Sequence, residues 1–336
     1  MSATPVRPAA APLRATNILV ARGGAIGDFV LTLPVFAALR AAYPGAQIAV
    51  LGSRAVAGLA VAGGLADAVH ELGAREFACL FGGEAAVSSR LGLFFSRFNI
   101  IVSYLCDPGR VFEANVRRLT AARFIRGPHR PDEQGGQHAT EALLEPLAAL
   151  GIRDVEPAPR LRLPRSRARR RRLVAHPGSG SESKNWPVEH WAVLLQRLGS
   201  ATDWDLLLVG GEADIDRLGR LQDHWPTSRC EIALGLPLVE LAARMASGRG
   251  FIGHDSGITH LAAALGLPGV VLWGPSSERV WRPRSERMVL VTSPDGLASL
   301  PVERVAEACY QLMAGRAPRY AVKGNSSPAT ITRNCV

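Results

Sequence analysis

Short, nearly continuous apolar runs alternate along this chain with stretches of helical periodicity, and most runs close on a turn rich in glycine or serine. In the first half, Asn17 to Arg22, Gln47 to Gly52, Ala68 to Leu72 and Ile100 to Leu105 read as strands. After an arginine-rich interruption the pattern restarts with Leu173 to His176, Asp205 to Gly210, Gly250 to Gly253 and Gly269 to Trp273. Strands that are apolar at every position are buried on both faces, so the alternation predicts βα units and parallel sheets. The restart predicts two doubly wound α/β domains, with a boundary near Pro164 to Arg172. In such folds ligands sit in the crevice outside the carboxyl ends of the strands, so the chemistry is expected in a cleft between the two halves.

A length of 336 residues agrees with two domains at about 150 residues each. The finer division reads as a flexible arm over 1–16, one domain over 17–164, an Arg-rich linker over 165–172, a second domain over 173–315 and a flexible tail over 316–336. With 47% apolar and 20% charged residues the chain is too hydrophobic for disorder. The apolar stretch Ile258 to Pro275 is interrupted by His260, Gly266, Pro268 and Gly269, too often for a spanning helix. Five scattered cysteines (Cys79, Cys106, Cys230, Cys309, Cys335) match neither a disulfide framework nor a CxxC metal site, which suits the cytosol. A formal net charge of +10 favours an anionic partner, and eight arginines fall between Arg160 and Arg172. That run reads first as a solvated linker, with anionic lipid or a phosphorylated acceptor as the sharper alternative.

Four constellations carry candidate chemistry. Arg22-Gly23-Gly24-Ala25-Ile26-Gly27-Asp28 is a glycine-rich turn between the first strand and an apolar helix. Asp28 places a carboxylate where the helix dipole and free amides favour negative charge, so the turn disfavours a pyrophosphate. Asp28 then either caps the helix or accepts a proton from a substrate hydroxyl. Pro34, lacking an N–H, is expected to kink or restart the helix. His176 to Trp186 follows the first strand of the second half; Ser179, Gly180, Ser181, Ser183 and Lys184 give it the small residues, hydroxyls and ammonium of a phosphate cradle. Its blander reading is a surface loop in which Ser183 or Asn185 caps the helix starting near Pro187. Gly253 to His260 is a strand end and helix start, where Ser256, Gly257 and Ile258 would present amides to a second anion. There Asp255 would accept from sugar hydroxyls or act as the cap, and His260 would pack or touch ligand. Trp273 to Ser277 closes the next strand and would line the same crevice. Asp203-Trp204-Asp205 mimics a metal site of some sugar transferases but precedes its strand, so it is read as a solvated strand entry. With no carboxylate and histidine cluster at metal spacing, metal-independent chemistry is expected.

In this order and spacing the four pieces resemble glycosyltransferase family 9, the ADP-heptose:lipopolysaccharide heptosyltransferases, over roughly Asn17 to Met313. The resemblance implies a GT-B fold, two Rossmann-like domains facing a central cleft, with acceptor on the N-terminal one and nucleotide sugar on the C-terminal one. It implies an inverting transfer, with no cofactor, of heptose from ADP-heptose to a hydroxyl of a lipopolysaccharide-core acceptor. By position, Asp28 matches the catalytic base and Lys184 the lysine on the donor phosphate. Ser179, Ser181 and Ser183 match the phosphate loop, while Asp255, Ser256, Gly257 and His260 match the donor-binding helix start. The backbone around Leu236 and Pro237 is implied to face the base. The segment after the fourth strand departs from the family's pattern. Arg90, Arg97, Arg110, Arg117 and Arg118 are therefore candidates for an anionic glycan or glycolipid acceptor. The implied location is cytoplasmic, with peripheral contact at the inner membrane and no nucleic-acid partner.

Two other readings compete. One is an NADP-dependent oxidoreductase using Gly23 to Gly27 as its phosphate turn and Arg54 on a 2′-phosphate. The other is a non-enzymatic anion-binding module built on the arginine run.

Overall fold

The computed structural model describes residues 16–82, 89–163 and 171–316. The expected arm and tail lie outside the described residues, as does most of the expected linker.

Two parallel sheets organise the chain. The first has the order β3-β2-β1-β4-β5, from β1 (Asn17–Ala21), β2 (Gln47–Gly52), β3 (Ala68–Glu71), β4 (Ile100–Ser103) and β5 (Arg123–Arg126). The second has the order β11-β10-β9-β6-β7-β8. Its strands are β6 (Arg172–His176), β7 (Asp205–Gly210), β8 (Cys230–Leu234), β9 (Gly250–His254), β10 (Gly269–Leu272) and β11 (Met288–Val291). All pairings are parallel, with Ile18 opposite Ile48 and Ile100, and Val174 opposite Leu207 and Phe251. This is the double Rossmann-like arrangement of a GT-B fold. Central strands are apolar along most of their length because helices cover both faces, and Ile18 to Ala21 and Leu173 to Ala175 are fully buried.

The chain reverses its winding direction beside β1 in one sheet and beside β6 in the other. Crevices open at these switch points. The Arg22–Asp28 turn leaves the first point and the His176–Trp186 loop leaves the second.

The apolar runs read from the sequence omit three strands, β5, β8 and β11, of which β11 is itself apolar at every position. Each is a sheet edge. An edge strand is covered on fewer sides, so β5 keeps exposed arginines at both ends and β8 is mostly half-exposed.

The expectation that Pro34 restarts its helix is corrected, for one helix runs from Ile26 to Ala42 through the proline. A proline inside a helix costs about 3 kcal/mol or more. Against this, Phe29, Val30, Leu31, Leu33, Val35, Phe36 and Leu39 are all essentially buried, each contributing about 1.5–3 kcal/mol. Burial wins from Phe29 to Phe36, where the helix lies between its own sheet and the second domain; Ala37, Ala41 and Ala42 stay exposed.

That second contact is with the helix Gly257–Ala264, and the two helix starts meet at paired glycines. A Cβ on Gly257 would stand 2.6 Å from the Gly27 nitrogen and 2.9 Å from Ile26 Cβ. Elsewhere along the interface, Val239 reaches Gly58, the Leu161 N–H donates to Ala264 and the Trp281 indole donates to Glu133. The apolar core is accordingly continuous from Ile18 and Phe36 on one side to Leu261 and Val271 on the other.

Candidate functional site

Asp28 sits in the first turn of the Ile26–Ala42 helix, at the carboxyl end of β1. The residue before the helix is Ala25, which has no side-chain oxygen to cap with. Asp28 therefore reaches back, and its Oδ2 accepts the Ala25 N–H at 2.9 Å. Gly24 allows this by adopting φ 97°, with the space its Cβ would fill already taken by the Asp28 carboxylate. The other carboxylate oxygen faces Arg22, 3.6 Å away. Capping and cleft-facing are therefore properties of one side chain, which keeps 24% of its surface exposed.

Arg22, quoted in the motif without a role, is the larger surprise. Its guanidinium is 3% exposed and donates to the carbonyls of Asp28, Tyr104 and His129, tying the turn to two further loops. Burial pulls its pKa down, and the Asp28 carboxylate opposes that. A buried cation needs both the charge partner and the carbonyls. With the helix start filled by this pair, the N-terminal turn has no room for a dinucleotide phosphate, and nothing supports the oxidoreductase reading.

Across the interface the arrangement is open. The His176–Trp186 loop crosses the carboxyl end of β6, with Ser179, Gly180, Ser181 and Ser183 at its outer surface. Ser179 Oγ donates to the Ser181 carbonyl, and Ser181 and Ser183 share a hydroxyl hydrogen bond at 2.9 Å. Neither Ser183 nor Asn185 caps the following helix, whose N-cap is Pro187 without a side-chain bond. Lys184 turns inward, and its Nζ lies 2.7 Å from Asp255 Oδ2. Asp255 is only 7% exposed and is not the helix cap; Ser256 holds that position and accepts from Thr259. The Gly274 turn after β10 lies beside Lys184. Leu236 is half-buried on the turn between β8 and the helix Leu238–Ala246, at the same sheet edge.

Glycine is required here at a position the motif reading passed over. A Cβ on Gly178 would be 2.0 Å from Asp214 Oδ1, whereas one on Gly180 would meet nothing.

His260 marks where the halves converge. It is buried, and its Cδ2 would be 3.7 Å from a Cβ on Gly27. Burial pushes its imidazole down to about 4, against the pull of Asp255 from one domain and Asp28 from the other. His138, beside it in the electrostatic sense, bonds the Arg282 carbonyl across the interface at 2.9 Å.

The acceptor arginines are not brought together. Arg110 precedes the helix Val111–Leu119, and Arg90 lies in the first turn of Ser89–Phe95, so both stand on the carboxyl-end side with Asp28. Arg97 leads into β4 at the opposite edge, where its carbonyl accepts from Asn17. Arg117 is tied to Glu113 at 3.0 Å and stacks over Phe124 beside β5, and Arg118 reaches Asn115. In the same way Asp203, at the amino end of β7, pairs with Arg171. Among the described residues no three histidine, cysteine or acidic side chains gather as a metal-binding group, and no helix is long and apolar enough to cross a membrane.

The family model of glycosyltransferase family 9 (heptosyltransferase) matches residues 141–306. Lipopolysaccharide heptosyltransferase 1 of Pseudomonas aeruginosa is 34% identical over 109 residues, which is 31% of this chain and 29% of that protein. The first curated relatives are thus matched over less than two thirds of their own length. A longer alignment, 25% identical over 303 residues, joins 78% of this chain to 85% of lipopolysaccharide heptosyltransferase 3 of Escherichia coli. The solved structure of E. coli heptosyltransferase WaaC with ADP superposes with a TM-score of 0.70 at 18% identity, over 88% of this chain and 100% of that one. At that identity the superposition speaks for the fold.

Proposed function

On the match of the glycosyltransferase family 9 model to residues 141–306, we propose that this chain is a member of that family and transfers a sugar from a nucleotide-sugar donor to an acceptor hydroxyl. The donor we favour is ADP-heptose and the acceptor a lipopolysaccharide-core glycan: the curated relatives are named lipopolysaccharide heptosyltransferases, and the WaaC structure of like fold was solved with ADP. The carrying observation is the contact between Gly27 and Gly257, because it sets Asp28 of one domain and the Lys184–Asp255 pair of the other at facing helix starts.

In the proposed displacement the acceptor oxygen attacks the anomeric carbon while the bond to the diphosphate breaks on the opposite face, which inverts that carbon. Asp28 takes the hydroxyl proton. Its carboxylate needs no rearrangement to do so, being held by the Ala25 amide and by Arg22. Negative charge grows on the departing diphosphate. Lys184 and the first amides of the Gly257–Ala264 helix are placed to stabilise it, so the scheme is written without a metal. For this Lys184 must exchange its partner, leaving the Asp255 carboxylate to accept from sugar hydroxyls. Arg90 and Arg110 are the acceptor contacts this scheme keeps, and cytoplasmic action at the inner membrane is part of it.

Calorimetric titration with ADP, UDP and GDP, followed by transfer from the sugar of the tightest nucleotide, tests the reading. Tight ADP binding with transfer supports it; absence of nucleotide binding refutes it.

A further inference from the structure

We propose that His254 is the positioning residue of the donor loop, a neutral imidazole that ties the two ends of the Gly178–Trp186 segment together. The proposal rests on reading that loop as the phosphate site, and goes beyond it by naming what holds the loop in shape.

The loop leaves the sheet after His176, passes Gly178 and rejoins the protein at Trp186, with the 179–185 stretch between. Between its ends the loop is tied to the body of the protein by two ion pairs, Glu182 with Arg217 at 2.6 Å and Lys184 with Asp255, which leaves the backbone at the ends to be held separately. One ring reaches both. His254 Nε2 accepts the Trp186 backbone N–H at 2.9 Å, and its Nδ1 lies 3.2 Å from the Gly178 carbonyl. The Trp191 indole N–H also points at Nε2, at 3.4 Å, with the two rings edge to face. Two N–H donors aimed at Nε2 require that nitrogen to be bare, and a carbonyl facing Nδ1 requires a proton there. The tautomer is therefore set by its surroundings, Nδ1–H and Nε2 as acceptor.

The ring has no other task in view. It is 0% exposed, and burial holds its pKa down to about 3, so it does not serve the cleft as an acid or base. It is also the residue immediately before Asp255. Consecutive residues at the end of β9 thus hold the loop twice, His254 by its ends and Asp255 through Lys184. Trp186 is fixed a second time by its indole, which donates to the Leu300 carbonyl at 2.9 Å. That leaves the backbone amide and the Gly178 end as the share of His254.

The test uses the full chain, with ADP as the probe. His254→Leu should raise the hydrogen-exchange rate of the Trp186 amide and weaken ADP binding about tenfold, the size expected for loss of one well-ordered hydrogen bond. His254→Gln, whose amide offers one acceptor and one donor, should recover most of the affinity. Rescue is the readout a mere packing role would not give. Should His254→Leu fail to fold, nitrogen-15 spectra of histidine-labelled wild-type protein decide instead, with the Nδ1–H form expected. An Nε2–H tautomer, an unchanged Trp186 amide, or equal losses in both variants would overturn the proposal. Failure of the wild-type protein to bind ADP would defeat the functional reading alone, and the exchange and tautomer results would still judge the clamp.

Discussion

The turn after β1 and the loop after β6 occupy equivalent places, each at the switch point of a parallel sheet, yet they present opposite chemistry. The first is closed. Asp28 fills its helix start, and Arg22 is spent on Asp28 and three carbonyls. The second keeps its hydroxyls at the surface and its ammonium on a single exchangeable partner, Asp255. On the proposed reading one topology therefore yields a fixed proton acceptor on one side and an anion cradle on the other, and the difference lies in which side chain reaches back to its own helix start.

Breaking the closed side should have the largest effect. Asp28→Asn keeps the side-chain size but removes the proposed proton acceptor and the charge partner of Arg22, so the protein should lose some stability, and transfer per folded enzyme should fall about 10²–10⁴-fold in steady-state assays, with ADP affinity retained. Breaking the open side follows. Lys184→Ala should lower kcat/KM about 10²–10³-fold and, unlike the first variant, weaken ADP in calorimetry as well.

Much of this contrast is legible in the sequence. Gly23 to Asp28 and Ser179 to Lys184 declare their positions because they follow apolar runs directly, and the buried central strands announce themselves the same way. What stays hidden depends on contacts between distant segments. Nothing near Arg22 says that its guanidinium ends on His129, and nothing near His254 says that Gly178 and Trp186 meet there. Gly178 is a case in between: the glycine is visible, but its reason, the Asp214 carboxylate, comes from another loop. Pro34 does not end its helix because burial from Phe29 to Phe36 outweighs the rule for an isolated helix. The separation of the arginines is hidden for a like reason: a count of charge does not say at which end of a sheet a side chain stands.

Smaller effects sharpen the comparison. Gly257→Ala would force a methyl against Gly27 and Ile26, and at the usual cost of about 1–3 kcal/mol for overpacking it should lower the melting temperature measurably. Acid should weaken the protein through the cradle side. His176 and His260 are held to about 4 and His254 to about 3, below the ordinary 6.5, each by burial first. The unfolded chain then binds more protons than the folded one, so their contribution is complete above pH 6.5 and is lost as pH falls toward 4. Thermal melts across that window should show the decline. Least of all, Arg117→Ala, at the far edge of the first sheet, should leave the KM for acceptor unchanged, while Arg110→Ala should raise it.

A crystal structure with ADP tests the division of labour most directly. The diphosphate is predicted against Lys184 Nζ and the first amides of the Gly257–Ala264 helix, with Asp28 across the cleft and free of it. A diphosphate bound at Gly23 and Gly24, with Asp28 displaced from the Ala25 amide, would contradict the account.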